Sequence, residues 1–250
     1  MSTYLKVNKL IPNTDKTKLM LITPRPVNEL PDVYFDGKKL EWVNHIRYLG
    51  IQLDNKLNFH LQTADIGRKL SQMQGVIYSM ATLVPRNSLI NIFNALVLPI
   101  INQNILIWGG SNENNLRNIK IGLNNILRII LNVRRDENNV PLRSTNEMFK
   151  ELNMLKLDDA YKLTLLKFLH YAFYKNSSLF LKFYSPLLPN HNYNTRLNRI
   201  NLPNVRLEIE RNSVIFQSCK LLNMLPESLI KPQHNTTLKS KFKRICIERY

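Results

Sequence analysis

Cysteine is nearly missing from this chain, with Cys219 and Cys246 the only two in 250 residues. Two thiols with no histidine pair at zinc spacing exclude a disulfide framework and a structural zinc site, and they suit a reducing interior. Acidic residues are also few, 18 against 35 Lys and Arg, which leaves a net charge of +17. Such an excess favours nucleic acid or an anionic membrane surface as partner. Glycine stands at 7 while asparagine reaches 32. That bias matches an A+T-rich coding sequence, which accounts for part of the lysine excess. No continuous apolar run opens the chain, so a signal peptide is not expected. The most apolar window, 89–108, carries Asn91, Asn94, Pro99, Asn102, Gln103 and Asn104, a polar load that argues against a membrane span. Neither an internal repeat nor a low-complexity tract is visible. The expectation is a protein with no membrane partner, intracellular, in nucleus or cytoplasm.

What is present is an ordinary globular composition, 44% hydrophobic and 21% charged, long enough to bury a sizeable core. The period of the hydrophobic pattern changes once. Residues 1–59 read as strand and hairpin, with Asp36-Gly37 between two β-prone arms as the clearest turn signal. Residues 47–53 read as a further strand, with Leu49, Ile51 and Leu53 on one side. From His60 the spacing is helical: Ile66, Leu70, Met73, Ile77 and Met80 form one stripe, and Ile119, Leu123, Ile126, Leu127 and Ile130 another. Between them, Pro85 opens a helix predicted over roughly 86–108 and closed by Gly109-Gly110. Ser144 and Glu147 predict a capping box. Residues 157–174 are apolar nearly all round, with Tyr161, Leu165, Phe168 and Ala172 as core, and predict a buried helix. A proline- and asparagine-rich connection follows, then helices near 212–224 and 237–249. The fold class is α+β, divided as 1–59, 60–185 and 186–250.

Six fragments in chain order resemble one family. Asn8, Leu10 and Asn13-Thr14-Asp15-Lys16-Thr17-Lys18 are similar to the motif-D segment of reverse transcriptases from jockey-like non-LTR (LINE) retrotransposons. Residues 37–41 with Tyr48-Leu49-Gly50-Ile51 and Leu53-Asp54 resemble the hairpin and primer-grip region, motif E. Ile107-Trp108-Gly109, Asn124-Asn125-Ile126-Leu127-Arg128, Tyr193-Asn194-Thr195-Arg196 and Leu222-Asn223-Met224-Leu225-Pro226 resemble later family segments, with Leu222 where the family usually carries Trp. The resemblance implies a palm edge and primer grip over 1–59, a helical thumb over 60–185 and a C-terminal extension with a basic terminal helix over 186–250.

The departures bear on chemistry. Family polymerases hold two Mg²⁺ ions on aspartates upstream of motif D; only about a dozen residues precede that segment here, and none is acidic. The adjacent aspartates Asp158-Asp159 follow Lys156-Leu157 and open an apolar helix, where negative charge suits the N-terminus. No cofactor is therefore expected in this chain. The resemblance implies a catalytically inactive fragment of an RNA-directed DNA polymerase, retaining RNA or RNA–DNA hybrid binding. The missing upstream polymerase domain is a further candidate partner. The alternatives are a non-enzymatic helical interaction protein and a non-functional transposon remnant.

Lys16 occupies the motif-D lysine position, where general-acid work needs a nearby phosphate; a solvated lysine is its bland reading. Lys18, in the same motif-D segment, is a further nucleic-acid-binding candidate, and Tyr48 and Gly50 are candidates for the grip region. In the terminal helix Lys239, Lys241, Lys243 and Arg244, with Arg249, face a single Glu248 and suit phosphate. The five histidines are scattered without ligand spacing.

Overall fold

The computed structural model describes residues 2–11, 13–23, 25, 27, 29–134, 136–138, 141–174, 182, 200–226, 229 and 235–250. The fold is α+β: a short N-terminal helix, then short strands, then helices. Two compact units divide it, Met1–Gln62 and Thr63–Tyr250. The first boundary lies at 62/63 where the pattern predicts 59/60. The predicted break at 185/186 lies outside the described residues, as does Tyr193-Asn194-Thr195-Arg196.

In the first unit, helix α1 (Ser2–Val7) precedes a single 3-10 turn at Thr14–Lys16, where the Asn13 side chain accepts the Lys16 N–H at 3.1 Å. Strand β1 (Lys18–Leu19) runs parallel to β4 (Glu41–Trp42). Between them β2 (Tyr34–Phe35) and β3 (Lys38–Lys39) form the hairpin predicted from Asp36-Gly37, both residues at positive φ, 52° and 76°. A two-residue link of this type needs that handedness at both positions.

Residues 47–53 are not one strand. Strand β5 (His45–Tyr48) turns back on β6 (Ile51–Asp54) through Leu49-Gly50, at φ 47° and 84°. Alternation over 47–53 requires extended backbone at both turn residues. Antiparallel pairing of Tyr48 with Ile51 forces them into the left-handed region instead. Ile51 is buried and Leu53 half-buried, whereas Leu49 stands 80% exposed at the tip. Asp54 ends the hairpin: its carboxylate accepts the N–H groups of Lys56 and Asn58 at 3.1 Å and of Phe59 at 2.8 Å. Three backbone donors are thereby satisfied just before helix α2 (His60–Met80). Among the described residues of this unit, Leu40 and Ile51 are the only buried hydrophobic side chains.

The second unit holds the main core. Ile66, Leu70 and Ile77 of α2 are buried as the stripe predicts. Helix α6 (Glu113–Ile130) buries Leu116, Ile119, Leu123, Ile126, Leu127 and Ile130. The span 86–108 is broken where one helix is predicted. Helix α3 (Arg86–Ile92) passes into a π-helical stretch, Phe93–Val97, then α4 (Leu98–Asn102) and α5 (Ile105–Trp108). Pro99 has no N–H to give the preceding turn, and the wider turn just before it absorbs the loss, with the Leu98 N–H reaching back to the Phe93 carbonyl. Asn104, at φ 55°, separates α4 from α5. The fully buried Trp108 donates its indole N–H to the Gln103 carbonyl at 2.8 Å, satisfying an acceptor the break exposes.

Helix α7 (Thr145–Glu151) starts with the predicted capping box. Helix α8 (Leu157–Tyr174) is the buried helix and meets α5, the short α9 (Glu208–Arg211) leads into α10 (Val214–Met224), and α11 (Asn235–Glu248) is the basic terminal helix. Both α10 and α11 pack on α8. Asn223 clamps Ile200 by accepting its N–H at 3.1 Å and donating to its carbonyl at 2.9 Å.

Gly109 and Gly110 do more than end a helix. A Cβ on Gly109 would lie 2.5 Å from the Ile105 carbonyl oxygen and 2.7 Å from the Tyr161 ring. Gly109→Ala is expected to destabilise the chain by about 1–3 kcal/mol, since the obstruction is partly backbone. Urea denaturation followed by circular dichroism measures it. At the hairpin tip the opposite holds: Leu49→Asn should stabilise by on the order of 0.5–1 kcal/mol, because asparagine tolerates left-handed backbone better than leucine. Amide exchange of the β5–β6 hydrogen bonds reads that change locally.

Candidate nucleic-acid interface

The eight predicted contact residues fall in two places. Four lie in the first unit. Lys16 sits exposed on the 3-10 turn, with no ion-pair partner among the described residues. Lys18 is engaged by Glu41 across the β1–β4 pair. Tyr48 is 60% exposed beside the hairpin tip, and Gly50 supplies the second positive φ of the turn. Lysines of this unit meet carboxylates elsewhere too: Lys38 lies 3.2 Å from Asp15 and Lys39 2.6 Å from Asp32. The Asp32 carboxylate raises the Lys39 ammonium above its ordinary range.

The other four lie on α11, and they do not share one face. At 3.6 residues per turn, positions 239 and 243 are separated by about 40°, while position 241 is about 160–200° from either. Leu238, Phe242 and Cys246 form the buried side. Lys239 and Lys243 therefore flank the buried stripe on one edge, Lys241 flanks it on the other, and Arg244 points outward, 4.0 Å from the exposed Glu248.

The edge bearing Lys239 and Lys243 is turned toward Lys167 of α8. Burial first, and then the charge of Lys239, hold both Lys167 and Lys243 below the ordinary lysine range. No carboxylate pairs with any of the three among the described residues. Lys167 is the site residue that sequence reasoning missed. A signal was available: Lys162, on the same helix, has Asp159 three residues before it, whereas Lys167 has no acid three or four residues away on either side.

The adjacent aspartates are fixed structurally. Asp158 lies 3.0 Å from the Lys120 ammonium, which also takes Glu113 at 2.8 Å. Asp159 accepts the Tyr250 hydroxyl at 2.6 Å and lies 3.2 Å from Lys162. The same Tyr250 oxygen accepts the Lys156 N–H at 3.0 Å, and the Lys156 ammonium sits 4.2 Å from the Tyr250 ring centroid. Among the described residues, no group of three His, Cys, Asp or Glu side chains is placed to hold a metal ion, so they do not fit a Mg²⁺ pair. Both cysteine thiols are buried and pushed up to about 11, chiefly by desolvation, which leaves them poor nucleophiles. Among the described residues, no helix is long and apolar enough to cross a membrane.

No protein-family model, curated protein or solved structure matches the chain.

Tyr250 is the other residue that sequence reasoning passed over. Tyr250→Phe leaves the Lys156 N–H without its acceptor and Asp159 Oδ2 without the hydroxyl donor, with only the Lys162 ammonium remaining on Oδ1, and should cost about 1–3 kcal/mol. The sign with pH follows from the raised phenol. Burial, then the Asp159 hydrogen bond, hold it protonated far above its ordinary range, so its contribution is complete below about pH 10 and fades as pH rises above that. Denaturation midpoints across alkaline pH should fall less steeply for the Phe variant than for the natural chain.

Proposed function

We propose that this chain is the post-catalytic segment of a jockey-like non-LTR retrotransposon reverse transcriptase and that it binds RNA or an RNA–DNA hybrid. Its contribution is electrostatic rather than catalytic. One observation carries the binding half of this reading. Lys239, Lys241 and Lys243 occupy a single helix and have no carboxylate partner among the described residues, in a chain whose net charge is +17. Uncompensated cations on an ordered helix can take phosphates, releasing the counterions that phosphates otherwise hold. The family half rests on the six ordered sequence fragments, with Tyr48 and Leu49 exposed at the hairpin tip in support of a gripping role.

A second reading draws on the first unit. Its exposed Tyr34, Tyr48 and Leu49, 60% or more accessible, favour a protein partner such as a polymerase domain.

The test is a salt titration of binding to a single-stranded RNA and to an RNA–DNA hybrid. Affinity should fall steeply with salt. Replacing Lys239, Lys241, Lys243, Arg244 and Arg249 together by Ala should flatten the log–log slope by up to about 5. Affinity indifferent to salt sinks the electrostatic reading, and unchanged RNA binding by the five-residue variant favours the protein-partner one.

A further inference from the structure

The second unit contains a cleft of about 690 Å³, within the roughly 300–1,000 Å³ typical of small-molecule sites. Phe93, Ile101, Phe149 and Leu163, each buried, make its floor mainly hydrocarbon, and Asn94, Asn102 and Asn153 also line it. A half-buried side of α8 lines it: Ala160, Thr164 and Lys167 recur at helical spacing along the wall. Lys239 and Lys243, one turn apart on α11, complete the rim.

Three ammonium groups from two packed helices thus converge on an apolar cleft with no carboxylate to neutralise them among the described residues. Their mutual repulsion opposes the packing of α8 against α11 until an anion arrives. An RNA backbone would answer the charge but leave the hydrocarbon floor unused. A phosphomonoester carries about −1.5 to −2 at neutral pH and three acceptor oxygens, which suits three point-like ammonium groups better than a single carboxylate does.

We propose that this cleft binds a phosphomonoester with a long apolar tail, its head between Lys167, Lys239 and Lys243 and its tail on Phe93, Ile101, Phe149 and Leu163. The proposal does not depend on the reverse-transcriptase reading.

Dodecyl phosphate below its micellar concentration is the probe, titrated calorimetrically into the full chain. Saturable one-to-one binding is expected. Dodecyl maltoside, with the tail alone, and inorganic phosphate, with the head alone, should each bind at least about tenfold more weakly. The combined K167Q, K239Q and K243Q substitutions should weaken dodecyl phosphate by at least about tenfold. If that variant fails to fold, K239Q alone removes an exposed lysine and should still weaken binding measurably. Thr164→Trp, which fills the cleft and spares the lysines, should abolish dodecyl phosphate binding while RNA binding persists. The idea is overturned by an absence of saturation, by equal affinity for either control, or by indifference to the lysine substitutions. Loss of RNA binding in the triple variant, without saturation by dodecyl phosphate, assigns the lysines to RNA and likewise overturns it.

Discussion

The second unit depends on one constraint: helix Leu157–Tyr174 has too little polar surface to face water. Leu157, Tyr161, Leu163, Leu165, Leu166, Leu169, His170 and Ala172 are all buried, spread round most of the helix circumference. A helix of that kind must be wrapped rather than merely packed on one side. Helices α5, α10 and α11 do the wrapping, and each contact makes its own demand. Close approach of α5 requires a residue without a side chain opposite Tyr161, hence Gly109. Burial of His170 requires a partner, and its Nε2 meets the Leu229 carbonyl at 2.8 Å. At the N-terminal end, Asp158 and Asp159 combine a favourable helix-end charge with ion pairs to Lys120 and Lys162.

How much of this was legible follows from the range of each interaction. The α2 and α6 stripes, the Asp36-Gly37 turn and the Ser144–Glu147 capping box are decided within a few residues of sequence, and all four form as the sequence predicts, with Met73 and Met80 at the half-buried edge of the α2 stripe. The Leu49-Gly50 turn was hidden because leucine carries no turn signature. Its left-handed backbone is imposed by strand pairing on either side, which outweighs a local preference of about 1–2 kcal/mol. In the 86–108 span, Pro99 announces a disturbance, but not whether a kink, a break or a widened turn will absorb it. The observed answer combines a π-helical stretch with a left-handed Asn104. Tyr250 was invisible for a different reason: its partners, Lys156 and Asp159, lie more than ninety residues away.

The candidate site divides along the same line. Basic residues on α11 were evident as a list, yet a list has no direction. Helical geometry separates Lys241 and Arg244 from Lys239 and Lys243, and tertiary packing then brings Lys167, missing from the list, alongside the latter pair. A face is a property of the fold, whereas a charge count is a property of the composition. The asparagine-rich, lysine-rich bias sharpens that distinction, because lysines supplied by coding drift have no reason to converge.

Convergence is what makes Lys167 informative. An ammonium on a mostly buried helix is ordinarily neutralised by an acid a turn away, as Lys162 is by Asp159. Where the chain has room to place that acid and does not, the unfolded state gains relative to the folded one, and the depressed lysines on both helices express the cost. Acids are few in this chain, but they are not placed evenly: Asp15, Asp32 and Glu41 each meet a lysine in the first unit, and Glu151 meets Arg86 and Arg143 in the second. Neutralising pairs therefore occur on both units while the rim of the cleft has none among the described residues. Scarcity of acid would leave lysines unpaired at scattered sites; it does not explain three unpaired lysines gathered at the mouth of one apolar cleft, and a bound anion does.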